Sequence, residues 1–151
     1  MQKITPFLWF DGRVQEAAEF YTSIFKNSKV LSTMPGPDNN PMSATVQLEG
    51  QEYILFNGGP MFKLNESISL FVSCDSQEEI DEKWEKLTAD GGNESRCGWL
   101  KDKFGLSWQI IPPVLGKLLG DKDREKANRV MQAMLTMNKI IIADLEKAAE
   151  G

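Results

Sequence analysis

Histidine is missing from all 151 residues, and no other feature of the chain removes more chemistry. Without imidazole there is no Ser-His-Asp or Cys-His activation of a nucleophile in its usual form. His-ligated zinc, the two-His-one-carboxylate iron site and haem with a proximal His go with it. Cysteine is scarce: Cys74 and Cys97 show no CxxC spacing, and a chain of this size needs no covalent staple, so free thiols in a reducing cytosol are expected. Long apolar runs are absent, none approaching the ~20 residues that span a bilayer. The opening MQKITPFLWFDG lacks a signal peptide's apolar region and small-residue cleavage site. The expectation is a cytoplasmic protein with no membrane partner. Basic clusters are lacking as well: 17 Lys and Arg against 22 Asp and Glu leave a net charge of −5, which argues against nucleic acid as a partner.

What is present is ordinary for a soluble domain, 41% apolar and 26% charged, and the length suits one domain over residues 1–151. Lys3 to Phe10 reads as a strand interrupted by Pro6. Asp11-Gly12 opens a helix whose apolar residues Val14, Ala17, Ala18, Tyr21, Ile24 and Phe25 recur at three- and four-residue steps. Lys29 to Met34, Ser43 to Glu49 and Glu52 to Asn57 are strands, separated by the breaker Pro35–Pro41 and a turn at Gly50-Gln51. A linker over 59–66 follows. Ser67 to Cys74 is then a strand with Ile68, Leu70 and Val72 on one face, and Asp75 or Ser76 caps a helix through Ala89.

Arg96 to Leu100 and Leu106 to Ile111 form the arms of a β-hairpin about Lys101-Asp102-Lys103, stopped by Pro112-Pro113. Sliding the chain by 63 residues lays Phe7 and Trp9 on Leu70 and Val72, and Val14, Ala17, Tyr21 and Ile24 on Gln77, Ile80, Trp84 and Leu87. The repeat predicts two similar modules, over 1–58 and 67–113. Residues 114–149 add helices: a short one at Val114–Leu119, then a long one from Asp121 with a stripe of Ala127, Val130, Met131, Met134, Met137 or Asn138, Ile141 and Leu145. Core packing and a subunit interface both explain the methionines.

The stretches TPFLWFDGRVQEAAEFYTSIF (Thr5–Phe25), ISLFVSCDSQEEIDEKWEKL (Ile68–Leu87) and CGWLKDKFGLSWQIIP (Cys97–Pro112) resemble the PhnB-like branch of the vicinal oxygen chelate superfamily. The C-terminal RVMQAMLTMNKIIIADLEKA (Arg129–Ala148) is similar to that branch too. The resemblance implies an α+β fold, two βαβββ-type modules forming a curved mixed sheet cup, with the C-terminal helices added, and commonly a homodimer. It also implies a divalent metal held in the cup by His and Glu, or, by the branch's usual description, a 3-demethylubiquinone-9 3-methyltransferase.

Face parity tests the implied site. If the strongly apolar face of each strand meets the helices, the cup is lined by Ile4, Pro6, Leu8 and Phe10, by Ser67, Ser69, Phe71 and Ser73, by Tyr53, Leu55 and Asn57, and by Ser107, Gln109 and Ile111. None is His, Asp, Glu or Cys, a poor set for any divalent cation. The single glycine after the first strand is a poor start for a nucleotide-type cofactor site. No metal, no cofactor and no catalytic residue is expected. What remains suits a small organic ligand, with Asn57, Ser69, Phe71, Trp99 and Gln109 as candidate contacts, and Trp9 and Trp108 on the helix side as core. Cys97 beside Arg96 has no general base and reads as an inert thiol; Asp11 and Asp75 read as helix starts, and Asp102 as a turn residue. The leading expectation is a metal-free small-molecule-binding protein. The alternatives are an enzyme of the superfamily, whether metal-dependent lyase, dioxygenase, resistance type or the nominal methyltransferase, and a structural homodimer with a collapsed cup.

Overall fold

Two stretches of alternating strands, each interrupted by one amphipathic helix, fold in the computed structural model into two compact units, Met1–Leu64 and Asn65–Gly151; the structure describes residues 2–151. The described residues form an α+β fold of two four-stranded mixed sheets and five α-helices.

In the first unit, β1 (Phe7–Phe10), α1 (Val14–Ile24), β2 (Lys29–Met34), β3 (Ser43–Leu48) and β4 (Gln51–Asn57) build a sheet of order β1-β4-β3-β2. Only β1 and β4 run parallel. The helix forms where the apolar stripe predicts: Val14, Ala17, Ala18, Tyr21 and Ile24 are buried. They pack on β3 and β4, where Ala44, Val46, Leu48 and Leu55 are buried as well. A two-residue turn, Glu49-Gly50, joins β3 to β4 with φ of 49° and 82°, the paired left-handed geometry that tight hairpins favour.

In the second unit, β5 (Ser69–Ser73), α2 (Gln77–Thr88), β6 (Asn93–Glu94), β7 (Trp99–Lys101) and β8 (Ser107–Ile111) repeat the plan, with sheet order β5-β8-β7-β6. Ser76 caps α2 by accepting from the Glu79 N–H at 3.1 Å, while Glu79 reaches back to the Asp75 N–H at 3.0 Å, a reciprocal cap. α2 packs on β7 and β8. Three helices complete the unit: α3 (Pro113–Leu119), α4 (Arg124–Leu135) and α5 (Ile142–Glu150).

Four expectations need correction. The single long helix from Asp121 is two helices, α4 and α5. Between them Met137 and Asn138 turn their carbonyls to the Cys97 and Gly98 N–H groups at 2.8 and 2.7 Å, hydrogen bonds that an unbroken helix would have used internally. Those donors sit in a left-handed kink, φ 58° at Cys97 and 85° at Gly98, so the hairpin's first arm starts at Trp99 rather than Arg96. A two-residue strand, β6, precedes it. Finally, the face assignment of β1 and β4 is reversed. Leu8, Phe10 and Leu55 are buried with Ala44 and Val46 on the α1 side, whereas Phe7, Trp9, Ile54 and Phe56 occupy the other face. Trp9 is therefore not on the helix side, although Trp108 is.

The cause of the reversal is one residue. Three residues, Asp11-Gly12-Arg13, separate β1's last buried position, Phe10, from α1, and Gly12 and Arg13 are both left-handed at φ 66° and 57°. Only Asp75-Ser76 separates buried Cys74 from α2. A uniform slide that superposes the helices thus sets the strands one residue out of phase, and a one-residue slip exchanges the faces.

Candidate functional site

The second sheet carries a row of three side chains across three strands. The register pairs Phe71 of β5 with Gln109 of β8, and Gln109 with Trp99 of β7, on the face opposite the buried Trp108 and Ile110. Ladder neighbours directly opposite lie close enough for their side chains to touch, so an amide stands between two rings. Gln109 Nε2 donates to Ser69 Oγ at 3.0 Å, which fixes the amide. Phe71 is 59% exposed, an unusual loss of apolar burial for a ring at mid-strand.

Pro112-Pro113 ends β8 and turns the chain so that α3 and then α4 rise beside this row. The result is a groove of about 410 Å³, lined on the sheet by Phe71, Ser73, Trp99, Gln109 and Ile111, and on its walls by Cys97, Pro112, Pro113, Leu115, Gly116, Leu119 and Met134. Its size falls in the range of small-molecule pockets, ~300–1,000 Å³. No Asp, Glu, Lys or Arg lines it. One ladder step away on the same face, Lys101 is ion-paired with Glu66. The lysine's hydrogen bond and charge draw the Glu66 carboxyl below its usual range. The charge nearest in register is thus already matched.

Of the five candidate contacts, Phe71, Trp99 and Gln109 come together here, and Ser69 holds Gln109. Asn57 does something else: it lies on the α1 face of the first unit, where its Oδ1 accepts from the Gly12 N–H at 2.8 Å, securing the loop that leads into α1. Leu115, Gly116, Leu119 and Met134 were not among the candidates. The stop at Pro112-Pro113 and the methionine stripe were the available signals, but neither says on which sheet face a following helix lands.

The open face of the first sheet holds an aromatic group. Trp9 meets Phe56 at 5.4 Å and Phe62 at 5.0 Å between ring centroids, and Phe7 meets Phe56 at 5.1 Å. Trp9 Nε1 donates to the Gly59 carbonyl at 2.8 Å. The reversal also moves Glu52 of β4 onto this face, the one carboxylate that the parity argument had placed elsewhere.

The donor sets do not fit a divalent metal. Among the described residues no three Cys, Asp or Glu side chains come close enough to hold an ion; Glu52 has only Gln47 opposite it in register, and the groove offers a hydroxyl, an amide and one thiol. Hard and borderline cations require several charged or imidazole ligands. A nucleotide-type methyl donor fits no better. The β1–α1 turn has already given the Gly12 N–H to Asn57, and each sheet contains a single parallel pair rather than the doubly wound parallel sheet of such sites.

Burial holds the Cys74 thiol up, with the Glu79 carboxylate adding to the effect, to about 12. It is fully buried beneath α2 and is not a nucleophile at neutral pH.

Comparison with known proteins gives a consistent picture. The family model of 3-demethylubiquinone-9 3-methyltransferase matches residues 2–111. A PhnB protein from Bacillus cereus carrying the same family description is 35% identical, with TM-score 0.68 over 74% of this chain and 99% of its own. A protein from Pseudomonas aeruginosa shares the fold at 19% identity, TM-score 0.59, over 74% and 98% of the two chains. So does the fosfomycin resistance protein FosX of Listeria monocytogenes, at 14% identity, TM-score 0.57, over 78% and 97%; a point mutant of FosX has also been solved in complex with Mn(II) and 1S,2S-dihydroxypropylphosphonic acid. No curated protein matches.

Proposed function

The chain belongs to the family described as 3-demethylubiquinone-9 3-methyltransferase, with a vicinal-oxygen-chelate-like fold, and from that premise we propose that it is a metal-free binding protein for a small organic molecule. One observation carries the reading: the Gln109 amide stands between Phe71 and Trp99 at the floor of a groove that no ionised carboxylate, lysine or arginine enters. Rings and a single fixed amide hold organic ligands by stacking and a few hydrogen bonds. They supply neither an acid–base pair nor an electrophile, so no catalytic residue is assigned.

We place the protein in the cytoplasm, as a homodimer. Among the described residues no helix is long and apolar enough to cross a membrane, and the two cysteines are free. Met131 and Leu135 of α4 are 37% and 46% exposed, which supports α4 as part of the subunit contact; sedimentation of the purified chain as a monomer would remove this part of the proposal.

The functional test is a thermal-shift screen of uncharged and charged metabolites, run in parallel with EDTA and with added divalent metals, alongside elemental analysis of protein purified without chelator. A ligand at 100-fold its Kd raises native stability by about 2.7 kcal/mol. The expected result is at least one organic ligand whose shift is the same with and without EDTA. Stoichiometric bound metal, or shifts that require one, overturns the reading.

A further inference from the structure

The matched family region ends at residue 111, and apart from Cys97 the groove's walls are built after it. Those walls are a fixed part of the second unit. Gln77 of α2 donates to the Ile140 carbonyl at 3.0 Å and accepts from the Ile142 N–H at 2.8 Å. Lys139 pairs with Asp81 at 2.8 Å. Ile111 at the end of β8 shares one core with Leu115, Val130, Met137, Ile140 and Leu145. Helices tied at this many points hold a site in one shape, which lowers the ordering cost of binding.

We infer that α3 and α4 complete a site for an uncharged aromatic molecule bearing one hydrogen-bond donor, a hydroxyl or an N–H. This rests on the reading of the groove as a small-molecule site and adds the ligand's chemical class. Charge is excluded because an ion entering the groove would give up hydration and meet no counter-charge; the lysine on that face is already paired with Glu66. Ring character follows from Phe71, left 59% exposed, and from Trp99 across Gln109 from it, a spacing in which a flat molecule covers both rings. The donor follows from Gln109 itself. One of its two Nε2 hydrogens goes to Ser69 Oγ, which fixes the amide and leaves its oxygen to accept from a ligand. Gly116 on α3 faces open space, with no atom within 4 Å of where a Cβ would stand, and it lines the groove opposite the sheet. A larger side chain at 116 therefore occupies the ligand's volume without displacing the core.

The experiment titrates three probes of one shape, 2-naphthol, naphthalene and 2-naphthoate, into the intact protein by calorimetry, and repeats 2-naphthol with Gly116→Phe and Gln109→Met. 2-Naphthol is expected to bind, naphthalene about five- to tenfold more weakly for want of one hydrogen bond, and 2-naphthoate at least tenfold more weakly. Gln109→Met should bring 2-naphthol down to the affinity of naphthalene. Gly116→Phe should abolish binding while the melting temperature stays at or above that of the parent protein, glycine being the poorer residue in a helix. Tight binding of 2-naphthoate, or undiminished binding of 2-naphthol by Gly116→Phe, overturns the inference and leaves the broader small-molecule reading standing. Failure of all three probes alongside a charged or acyclic hit from the metabolite screen has the same consequence. Failure of the probes and of the whole screen removes both.

Discussion

Asp102 offers the sharpest test of how the hairpin under the groove is held. Its side chain is only 2% exposed. Oδ1 accepts from the Phe104 and Leu106 N–H groups at 2.9 and 3.1 Å, and Oδ2 accepts from Trp108 Nε1 at 2.9 Å. One carboxylate therefore closes the turn and pins the indole that fills the helix side of β8. In Asp102→Ala three donors lose their acceptor. The Phe104 N–H is near enough to solvent to find water. Those of Leu106 and Trp108 belong to residues 1% and 2% exposed, where water does not replace the carboxylate. At ~1–3 kcal/mol for each buried donor that loses its acceptor, the cost for two is about 2–6 kcal/mol, a large share of the ~5–15 kcal/mol that keeps a domain folded. Asp102→Asn keeps one oxygen for the two backbone donors but sets an NH₂ against the indole N–H, so about half the loss is expected. Urea unfolding followed by far-UV circular dichroism measures both, independently of any change in the emission of Trp108. Asp102→Ala within about 1 kcal/mol of the parent would show that the turn is held by its backbone hydrogen bonds alone.

Other changes test other parts of the structure. Ser107 Oγ is a buried side-chain atom without a hydrogen-bond partner among the described residues, so Ser107→Ala should stabilise the protein by about 1 kcal/mol in the same urea titration; a loss of stability would reveal a partner for the hydroxyl. Gly98 has φ 85°, and a Cβ there would lie 2.6 Å from Ile111 Cδ1 and 3.1 Å from both the Ile110 carbonyl and Ile140 Cγ1. Gly98→Ala should cost about 2–4 kcal/mol by backbone strain and overpacking together, read as a lowered melting temperature; an unchanged one would mean that the kink relaxes freely. Cys97, expected from the sequence to be an inert thiol, is instead half-buried and lines the groove, so it should react with a thiol reagent in the folded protein, whereas Cys74 should react only on unfolding. The Cys74 thiol, ordinarily near 9.0, is pushed up to about 12. Above pH 9 the unfolded chain therefore loses a proton that the folded one keeps. Stability contributed below that pH is lost as pH rises toward 12, by up to about 1.4 kcal/mol per pH unit. Comparison with Cys74→Ala isolates this slope, and parallel pH profiles for the two proteins would refute it.

Much of the fold was legible because most of its elements announce themselves by periodicity. The α1 stripe and the alternation of β3 return as buried residues at the expected positions, and the register of β8 places Trp108 and Gln109 on opposite faces as parity requires. The break between α4 and α5 was not legible, because apolar residues continue at helical spacing through Met134, Met137 and Ile141. What ends α4 is the demand of the Cys97 and Gly98 N–H groups for two carbonyls, a requirement that arises some forty residues earlier in the chain. Asn57 illustrates the same limit at the site. A polar residue ending a strand reads equally well as a ligand contact or as a partner for a turn, and only the position of Gly12 decides between them.

The reversed face of β1 bears directly on function, since the argument against a metal was made from faces. In the second unit the assignment stands, and the groove face carries hydroxyls, an amide and rings. In the first unit the exchange takes Tyr53 and Asn57 off the open face and puts Glu52, Ile54 and Phe56 on it. Had the exchange delivered two or three carboxylates, the conclusion would have fallen with the parity on which it was built. It delivers one, opposite Gln47, beside a cluster of aromatic rings. With no histidine in the chain to complete a transition-metal site, and no three Cys, Asp or Glu grouped among the described residues to complete a calcium site, a lone carboxylate on this face does not make a tight metal site. The conclusion thus rests on composition first and geometry second, which is why a one-residue difference between two connections could overturn the geometry and leave the chemistry as it was.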